Sequence, residues 1–511
     1  MAEGAAPAAG EALDALFGGG RPAHAAFVVP DDGRVLSYAE MAERIETLAG
    51  RLAAAGVRRG DRVALTLPNS PDFVQLMLAV TLLGAAAAPL NPAYTESEYT
   101  FYLEDVAPRV LLMPAGMPAG AVAAAVATGT AVLGVADVAG GPPDLLRDGE
   151  PVAGRPGFER GTPDDVAIVL HTSGTTSRPK QVPLLQRNLM ASSRKVAAHF
   201  QLGPDDVSFC VMPLFHVHGL VASTFAALSA GGTVVSPRRL TPQRFWRQAR
   251  EAGTTWLSAG PTLHQMLLEK IDDKGAPDTL RFVRSCSSAL SPELLHRAES
   301  SYGVPMLESY GMTEASHQMA ANPLPPGERV PGSVGVSAGA ELGIVDGSGG
   351  FLAEGEAGEV VIRGPGVMSG YVNNPTATAE AFFGDWFRTG DRGVLRNGYL
   401  YLEGRIKEMI IRGGENISPA EIEQALLAHP AVVDAVCFGI EDGKYGELPA
   451  AAVTLDGDVE PRELISFCRE RLAAFKVPSV IHVLPEIPRT ATGKVQRRRV
   501  GEFVTGGGAA G

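Results

Sequence analysis

Cysteine is scarce in this chain, with four in 511 residues, at Cys210, Cys286, Cys437 and Cys468. No two form a C-x-x-C pair, which excludes a disulfide framework or a zinc site and fits a reducing cytoplasm. For Cys286 the expected role is that of a buried structural thiol. An excess of positive charge is also missing: 44 Lys and Arg stand against 57 Asp and Glu, for a net charge of −13. Phosphate binding along a nucleic acid needs dense Lys and Arg, so no nucleic-acid partner is expected. The basic run Arg497-Arg498-Arg499 reads as a solvated surface turn.

Long apolar runs are missing too. The most apolar segment, Leu76 to Leu90 (LMLAVTLLGAAAAPL), is shorter than the roughly 20 residues a bilayer span needs and ends at Pro89 and Pro92. It reads as a buried helix followed by a strand. The first residues, MAEGAAPAAGEALDALF, have neither a basic start nor a continuous apolar stretch, so no signal peptide is expected. The last residues, GGGAAG, are no peroxisomal address. A cytoplasmic protein with no membrane partner is expected, and the oligomeric state stays open.

What is present is alternation. Residues 39–56 (YAEMAERIETLAGRLAAA) place apolar side chains three and four apart, predicting an amphipathic helix that stops at Gly56. VALTLP (63–68) reads as a buried strand, followed by a helix from about Phe73, a helix near 96–105 and the strand VLLMP (110–114). Helices alternating with short β-rich runs imply a parallel sheet covered on both faces. Residues 140–165 are Gly- and Pro-rich and read as a surface connection into the strand VAIVL (166–170). A second α/β stretch runs from Val207 to about Glu308, and beyond Gly332 the pattern turns β-like.

After Arg405 a separate unit is predicted. Ser418-Pro419-Ala420-Glu421 reads as a capping box opening a helix, followed by strands over 431–440 and 449–455, a helix over 461–475 and a strand over 479–484. The fold expected is α/β: a large N-terminal domain (1–404) with parallel sheets and a β-rich subdomain, then a small, mobile α+β C-terminal domain (405–511).

Several segments carry chemistry. HTSGTTSRPK (171–180) follows a strand, and its small residues let backbone N–H groups surround a phosphate while Lys180 adds a charge. The G-x-x-x-x-G-K-[ST] loop of P-loop NTPases is absent. In ESYGMTEASH (308–317), Tyr310 offers a flat face for a purine, Thr313 a hydroxyl for a phosphate, and Glu314 a hard oxygen for magnesium. Asp391 in WFRTGDRG is suited to ribose hydroxyls. GRIKEMIIRGGENISPAEIE (404–423) and PRTATGKVQRR (488–498) complete the set, the last exposing Lys494 on a Gly-containing turn.

Together these segments, in this order and across nearly the whole chain, resemble the adenylate-forming superfamily of acyl-CoA synthetases, luciferases and peptide-synthetase adenylation domains. The resemblance implies an ATP-dependent, AMP-forming ligase that uses Mg²⁺ and passes an acyl group to coenzyme A. It implies that Thr172, Ser173, Gly174, Thr175, Thr176 and Lys180 handle the β- and γ-phosphates. Tyr310 is implied to stack on adenine, with Ser309, Gly311 and Met312 in the same nucleotide site. Thr313 and Glu314 are implied as α-phosphate and magnesium ligands, and Asp391 and Arg405 as the ribose pair. Lys494 is implied as the catalytic lysine of adenylation, Lys407 as the hinge, and Arg412-Gly413-Gly414 as the loop facing the pantetheine tunnel. Two departures from the superfamily pattern are Ser177 and Gln181, where relatives carry Gly.

The acyl pocket is read from PLFHVHGL (213–220), RSCSSAL (284–290) and MTEASHQMAANPLP (312–325). These place His216, His218, Ser287, Ser288 and His317 where the resemblance puts the acid. Polar donors of this kind suit a short diacid whose second carboxylate must be desolvated. The combination resembles oxalate–CoA ligases. Malonate-activating relatives carry Arg just before the tyrosine, where this chain has Ser309. Ligases for medium-chain or aromatic acids share the core motifs and are the alternatives.

Overall fold

A computed structural model describes residues 11–18, 21–116, 119–172, 179–489 and 495–505. Two large sheets dominate. One runs, by residues, 181–185, 166–171, 86–89, 62–65, 110–114, 131–136, 144–147, 150–151, and its central strands are parallel. The other runs 336–337, 317–321, 306–312, 282–285, 256–259, 207–209, 233–235, 25–29, 34–37, parallel from 25–29 through 306–312. Helices Tyr38–Ala54, Pro71–Leu82 and Gln186–His199 contribute to the main core. That core joins Leu65 and Leu112 of one sheet to Trp256 and Phe282 of the other. Pro71–Leu82 is apolar all round because it is buried all round, Asp72 excepted. Tyr38–Ala54 opens on a true capping box from Ser37 and Glu40 and buries the stripe Met41, Ile45, Leu48, Leu52.

A smaller five-stranded sheet follows, built from Glu341–Val345, Ala357–Arg363, Phe382–Phe383, Trp386–Arg396 and Tyr399–Arg405. A last sheet, Ile410–Arg412, Glu415–Ile417, Val432–Asp442, Gly446–Leu455 and Val480–Val483, carries helices Pro419–Leu427, Pro461–Arg469 and Arg497–Thr505. Its two cores draw only on residues beyond 409. The fold is α/β, a large N-terminal part with a β-rich subdomain and a small α+β C-terminal part.

The structure corrects three local expectations. The connection 140–165 contains a hairpin, Asp144–Arg147 with Glu150–Pro151, because Asp148 and Gly149 take φ of 53° and 86° and supply the turn. Ser418 does precede the helix, but its hydroxyl donates to the Glu403 carbonyl and makes no cap; Glu421 is held by Lys476 at 2.7 Å. The helix expected over 461–475 ends at Arg469, where the chain turns so that the Phe475 carbonyl meets Arg412.

One half-buried acid has a measurable consequence. Glu308, on the strand Met306–Met312, accepts one side-chain hydrogen bond, from the Gly332 N–H at 3.1 Å. Burial pushes its pKa from the ordinary 4.5 up to about 7. Between those values the folded chain holds a proton that the unfolded chain releases, so stability falls as pH rises through the window. Glu308→Gln is expected to stabilise the protein by about 1–3 kcal/mol at pH 8 and to lose that advantage near pH 4.5. Denaturant titrations of both proteins across that range check it; parallel curves would contradict it.

Candidate active site

The parallel sheet ending at Met306–Met312 gathers the residues read from the sequence as the acyl site. Arg284 lies on Phe282–Ser285, Ser258 on Trp256–Ala259 and Ser309 on Met306–Met312, adjacent strands that bring the three side chains together. His218 opens a π-helical segment, His218–Phe225, a distortion that recurs at functional sites. Gly219 makes that turn possible, since a Cβ there would meet the Pro213 carbonyl oxygen at 2.3 Å. Ser287 and His317 hold φ of 80° and 108°, strained for residues with a side chain.

These groups form one hydrogen-bonded cluster. His218 Nδ1 lies 3.0 Å from Ser287 Oγ and Nε2 lies 2.7 Å from Ser258 Oγ. Arg284 donates to Ser309 Oγ at 2.9 Å, Ser258 Oγ at 3.0 Å and His317 Nδ1 at 3.3 Å. The two imidazole rings are 5.0 Å apart, and His317 Nε2 is 3.9 Å from Cys286 Sγ. His216 Nδ1 accepts the His218 N–H at 3.3 Å. Burial first, and then the Arg284 charge, push the pKa of His218 and of His317 well below the ordinary 6.5, so both rings are neutral at pH 7. Ser288 sits on the exposed side of the same turn, outside this cluster.

Arg284 was not legible as a site residue, yet it is fully buried. No carboxylate pairs with it among the described residues, and its guanidinium faces neutral hydroxyls, an imidazole and the Phe200 ring at 5.6 Å. Burying an ion costs several kcal/mol. A cation–π contact returns about 0.5–2 kcal/mol and each hydrogen bond to a charged group about 1.5–3 kcal/mol. A charged residue inside the apolar strand FVRS was the available signal.

The residues read from the sequence as nucleotide-binding lie at the far end of Met306–Met312 and on the β-rich subdomain. Tyr310 is buried, and its hydroxyl donates to Asp391 Oδ2. Asp391 Oδ1 pairs with Arg405 Nε at 2.7 Å across the hairpin of Trp386–Arg396 and Tyr399–Arg405. Burial, then the Asp391 charge, push the Tyr310 pKa well above 10, so its hydroxyl remains a donor. Gly311 packs its backbone against His317, where a Cβ would meet the carbonyl oxygen at 2.2 Å, and the partly buried Met312 is paired in register with His317. Thr313 and Glu314 form a short 3₁₀ turn, and Tyr371 donates to Glu314 Oε1 at 3.1 Å. Lys180 lies 4.6 Å over the Tyr371 ring, linking the phosphate segment to Glu314, a contact the sequence did not announce.

Strands Val166–His171 and Gln181–Leu185 form the hairpin whose connection is the phosphate segment, closed by the Thr172 N–H donating to the Lys180 carbonyl at 3.0 Å. Ser173, Gly174, Thr175 and Thr176 lie outside the described residues, as does Lys494. The Gln181 departure has a physical role. Its amide donates to the Asp105 carbonyl and carboxylate at 2.7 Å each, and Asp105 holds His171 Nε2 at 2.9 Å. Lys407 is exposed on the 3₁₀ turn Ile406–Glu408. Gly413 and Gly414, with φ of 59° and 89°, make the two-residue turn between Ile410–Arg412 and Glu415–Ile417.

Among known proteins the chain matches the AMP-binding enzyme family over residues 17–372 and the AMP-binding enzyme C-terminal domain over 421–494. It is 43% identical over 484 residues to an oxalate–CoA ligase of Arabidopsis thaliana, covering 91% of this chain and 93% of that one. It is 38% identical to an oxalate–CoA ligase of Saccharomyces cerevisiae, covering 93% and 94%. ATP-bound MatB from Rhodopseudomonas palustris superposes with a TM-score of 0.87 at 30% identity, covering 97% and 99%. The matched span exceeds half the chain and contains the His218–Arg284–His317 cluster: this protein is a member of the AMP-binding enzyme family.

Proposed function

We propose that this protein is an ATP-dependent, AMP-forming acid–CoA ligase that converts oxalate to oxalyl-CoA. The observation that carries the choice of acid is the buried cluster in which a guanidinium and two neutral imidazoles converge with hydroxyls. The two oxalate–CoA ligases similar over nearly the full chain support the same reading.

One carboxylate oxygen of the acid attacks the α-phosphorus of ATP, the bond to pyrophosphate breaks, and an acyl adenylate forms. The coenzyme A sulfur then attacks the acyl carbon and AMP leaves. Asp391 accepts the ribose hydroxyls, Tyr310 flanks adenine, and Lys180 with the Thr172–Thr176 segment binds the phosphates. Thr313 contacts the α-phosphate and Lys494 bridges it to the carboxylate. Both reacting partners are anions, so fixed positive charge is what lowers the barrier. Glu314 fits a Mg²⁺ ion: it is buried, and Tyr371 donates only to its Oε1. Glu314 would hold such an ion, which would supply charge neutralisation for the phosphates. His216, His218, Ser287 and His317 line the acid site, with Ser288 exposed on the same turn. The small domain from Arg405 turns about Lys407 between the two half-reactions, and Gly413 and Gly414 then border the pantetheine path. A cytoplasmic location is part of this reading; no helix among the described residues is long and apolar enough to cross a membrane.

Incubation with oxalate, ATP, Mg²⁺ and coenzyme A tests the reaction. Equimolar AMP, pyrophosphate and oxalyl-CoA are expected, and ADP with phosphate, or no thioester, would contradict it. Tyr371→Phe keeps the ring under Lys180 and removes the donor to Glu314. It is expected to raise the Mg²⁺ concentration for half-maximal rate severalfold, with the rate at saturating Mg²⁺ little changed, as a Mg²⁺ titration reads out. His317→Leu is expected to cut oxalate turnover and admit longer, less polar acids; unchanged selectivity across acetate, butyrate and octanoate would count against a polar pocket.

A further inference from the structure

We infer that Arg284 is the residue that makes this site select for a second anionic group on the acid, and that it also sets the proton positions of both pocket histidines. The inference rests on the acid–CoA ligase reading above. Arg284 is fully buried, and among the described residues no carboxylate pairs with it; the groups it touches are Ser309, Ser258, His317 and the Phe200 ring. A guanidinium in that position is an unneutralised charge awaiting an anion, and its planar fork presents more donors than the three contacts use. The residue before Tyr310, Ser309, accepts from Arg284 one strand away, so the charge lies beside the strand that carries the tyrosine.

The proton positions follow from the fact that Arg donates only. His317 Nδ1 accepts from Arg284, so its proton sits on Nε2. Ser258 Oγ accepts from Arg284, and its hydroxyl proton has one recorded neighbour to go to, His218 Nε2. His218 therefore carries its proton on Nδ1 and donates toward Ser287. One buried cation thus turns two neutral imidazoles into donors, the arrangement a desolvated carboxylate requires. Arg284 acts on the acid by charge and by positioning.

The test compares oxalate with glyoxylate, which replaces the second carboxylate with an aldehyde, in acid-dependent pyrophosphate release by the full-length enzyme. Arg284→Met is expected to lower kcat/KM for oxalate by about 100-fold and that for glyoxylate far less, so that the preference for oxalate over glyoxylate falls at least about tenfold with the KM for ATP little changed. An equal fall for both acids would show a structural role and overturn the inference, as would an oxalate kcat/KM within threefold of wild type. Arg284→Lys, which retains the charge, is expected to keep the preference for oxalate over glyoxylate even where the Met variant does not fold; loss of that preference in a folded Lys variant also overturns it. The outcomes separate from those of the oxalate reading. Wild-type preference for another dianion, such as malonate or sulfoacetate, sinks oxalate but leaves Arg284 standing, tested with that acid and its monoanionic analogue. Wild-type preference for octanoate over every dianion overturns both.

Discussion

Asp391→Ala is expected to reduce kcat/KM for ATP by 10²- to 10³-fold while leaving the fold intact. Beyond the ribose role proposed for it, the carboxylate holds two neighbours in place. It accepts the Tyr310 hydroxyl on one oxygen and pairs with Arg405 on the other at 2.7 Å, in a buried position. Hydrogen bonds to a charged group contribute about 1.5–3 kcal/mol each, and losing two near the lower end of that range as ATP binds corresponds to roughly 10²- to 10³-fold. The substitution also strands a buried phenol that the rest of the site leaves without an acceptor of that strength. ATP binding measured by calorimetry, with folding followed by thermal denaturation, separates the two effects. An ATP affinity within threefold of wild type would show that Asp391 holds only the hairpin.

Lys494→Ala is expected to divide the reaction. Adenylation should fall by about 10²- to 10³-fold, because a carboxylate approaching a polyphosphate loses its fixed counter-charge. Thioester formation from a supplied acyl adenylate should stay within a few-fold, since no anion then attacks the α-phosphate. Lys494 itself lies outside the described residues, but its flanks are tied down. Arg489 and Val495 form a β-bridge, the Gln496 N–H donates to the Pro488 carbonyl at 2.9 Å, and Arg497 pairs with Glu408 at 3.1 Å. Rapid-quench measurement of each half-reaction reads the result; equal losses in both would assign Lys494 to general stability.

Legibility followed locality. The helix Tyr38–Ala54 and the strand Val110–Pro114 were readable because burial imposes its period on a contiguous stretch. The capping box at Ser418 failed because tertiary partners, the Glu403 carbonyl and Lys476, took both of its members. The residues proposed for the nucleotide stand in ordered motifs, whereas Tyr371 gave no sign, since its link between Lys180 and Glu314 exists only after folding. Arg284 was hidden for the same reason. Its three polar partners come from separate strands, and only assembly of the sheet shows that a buried cation has neutral company.

The central claim is that one buried polar pocket chooses a short dianion for an adenylate-forming site. Its most direct test is the wild-type kcat/KM for pyrophosphate release with ATP, Mg²⁺ and coenzyme A, measured for oxalate, malonate, acetate, octanoate and coumarate. Oxalate is expected to exceed each of the others by at least about tenfold, a difference of 1.4 kcal/mol. Faster turnover of octanoate or coumarate would contradict the pocket assignment.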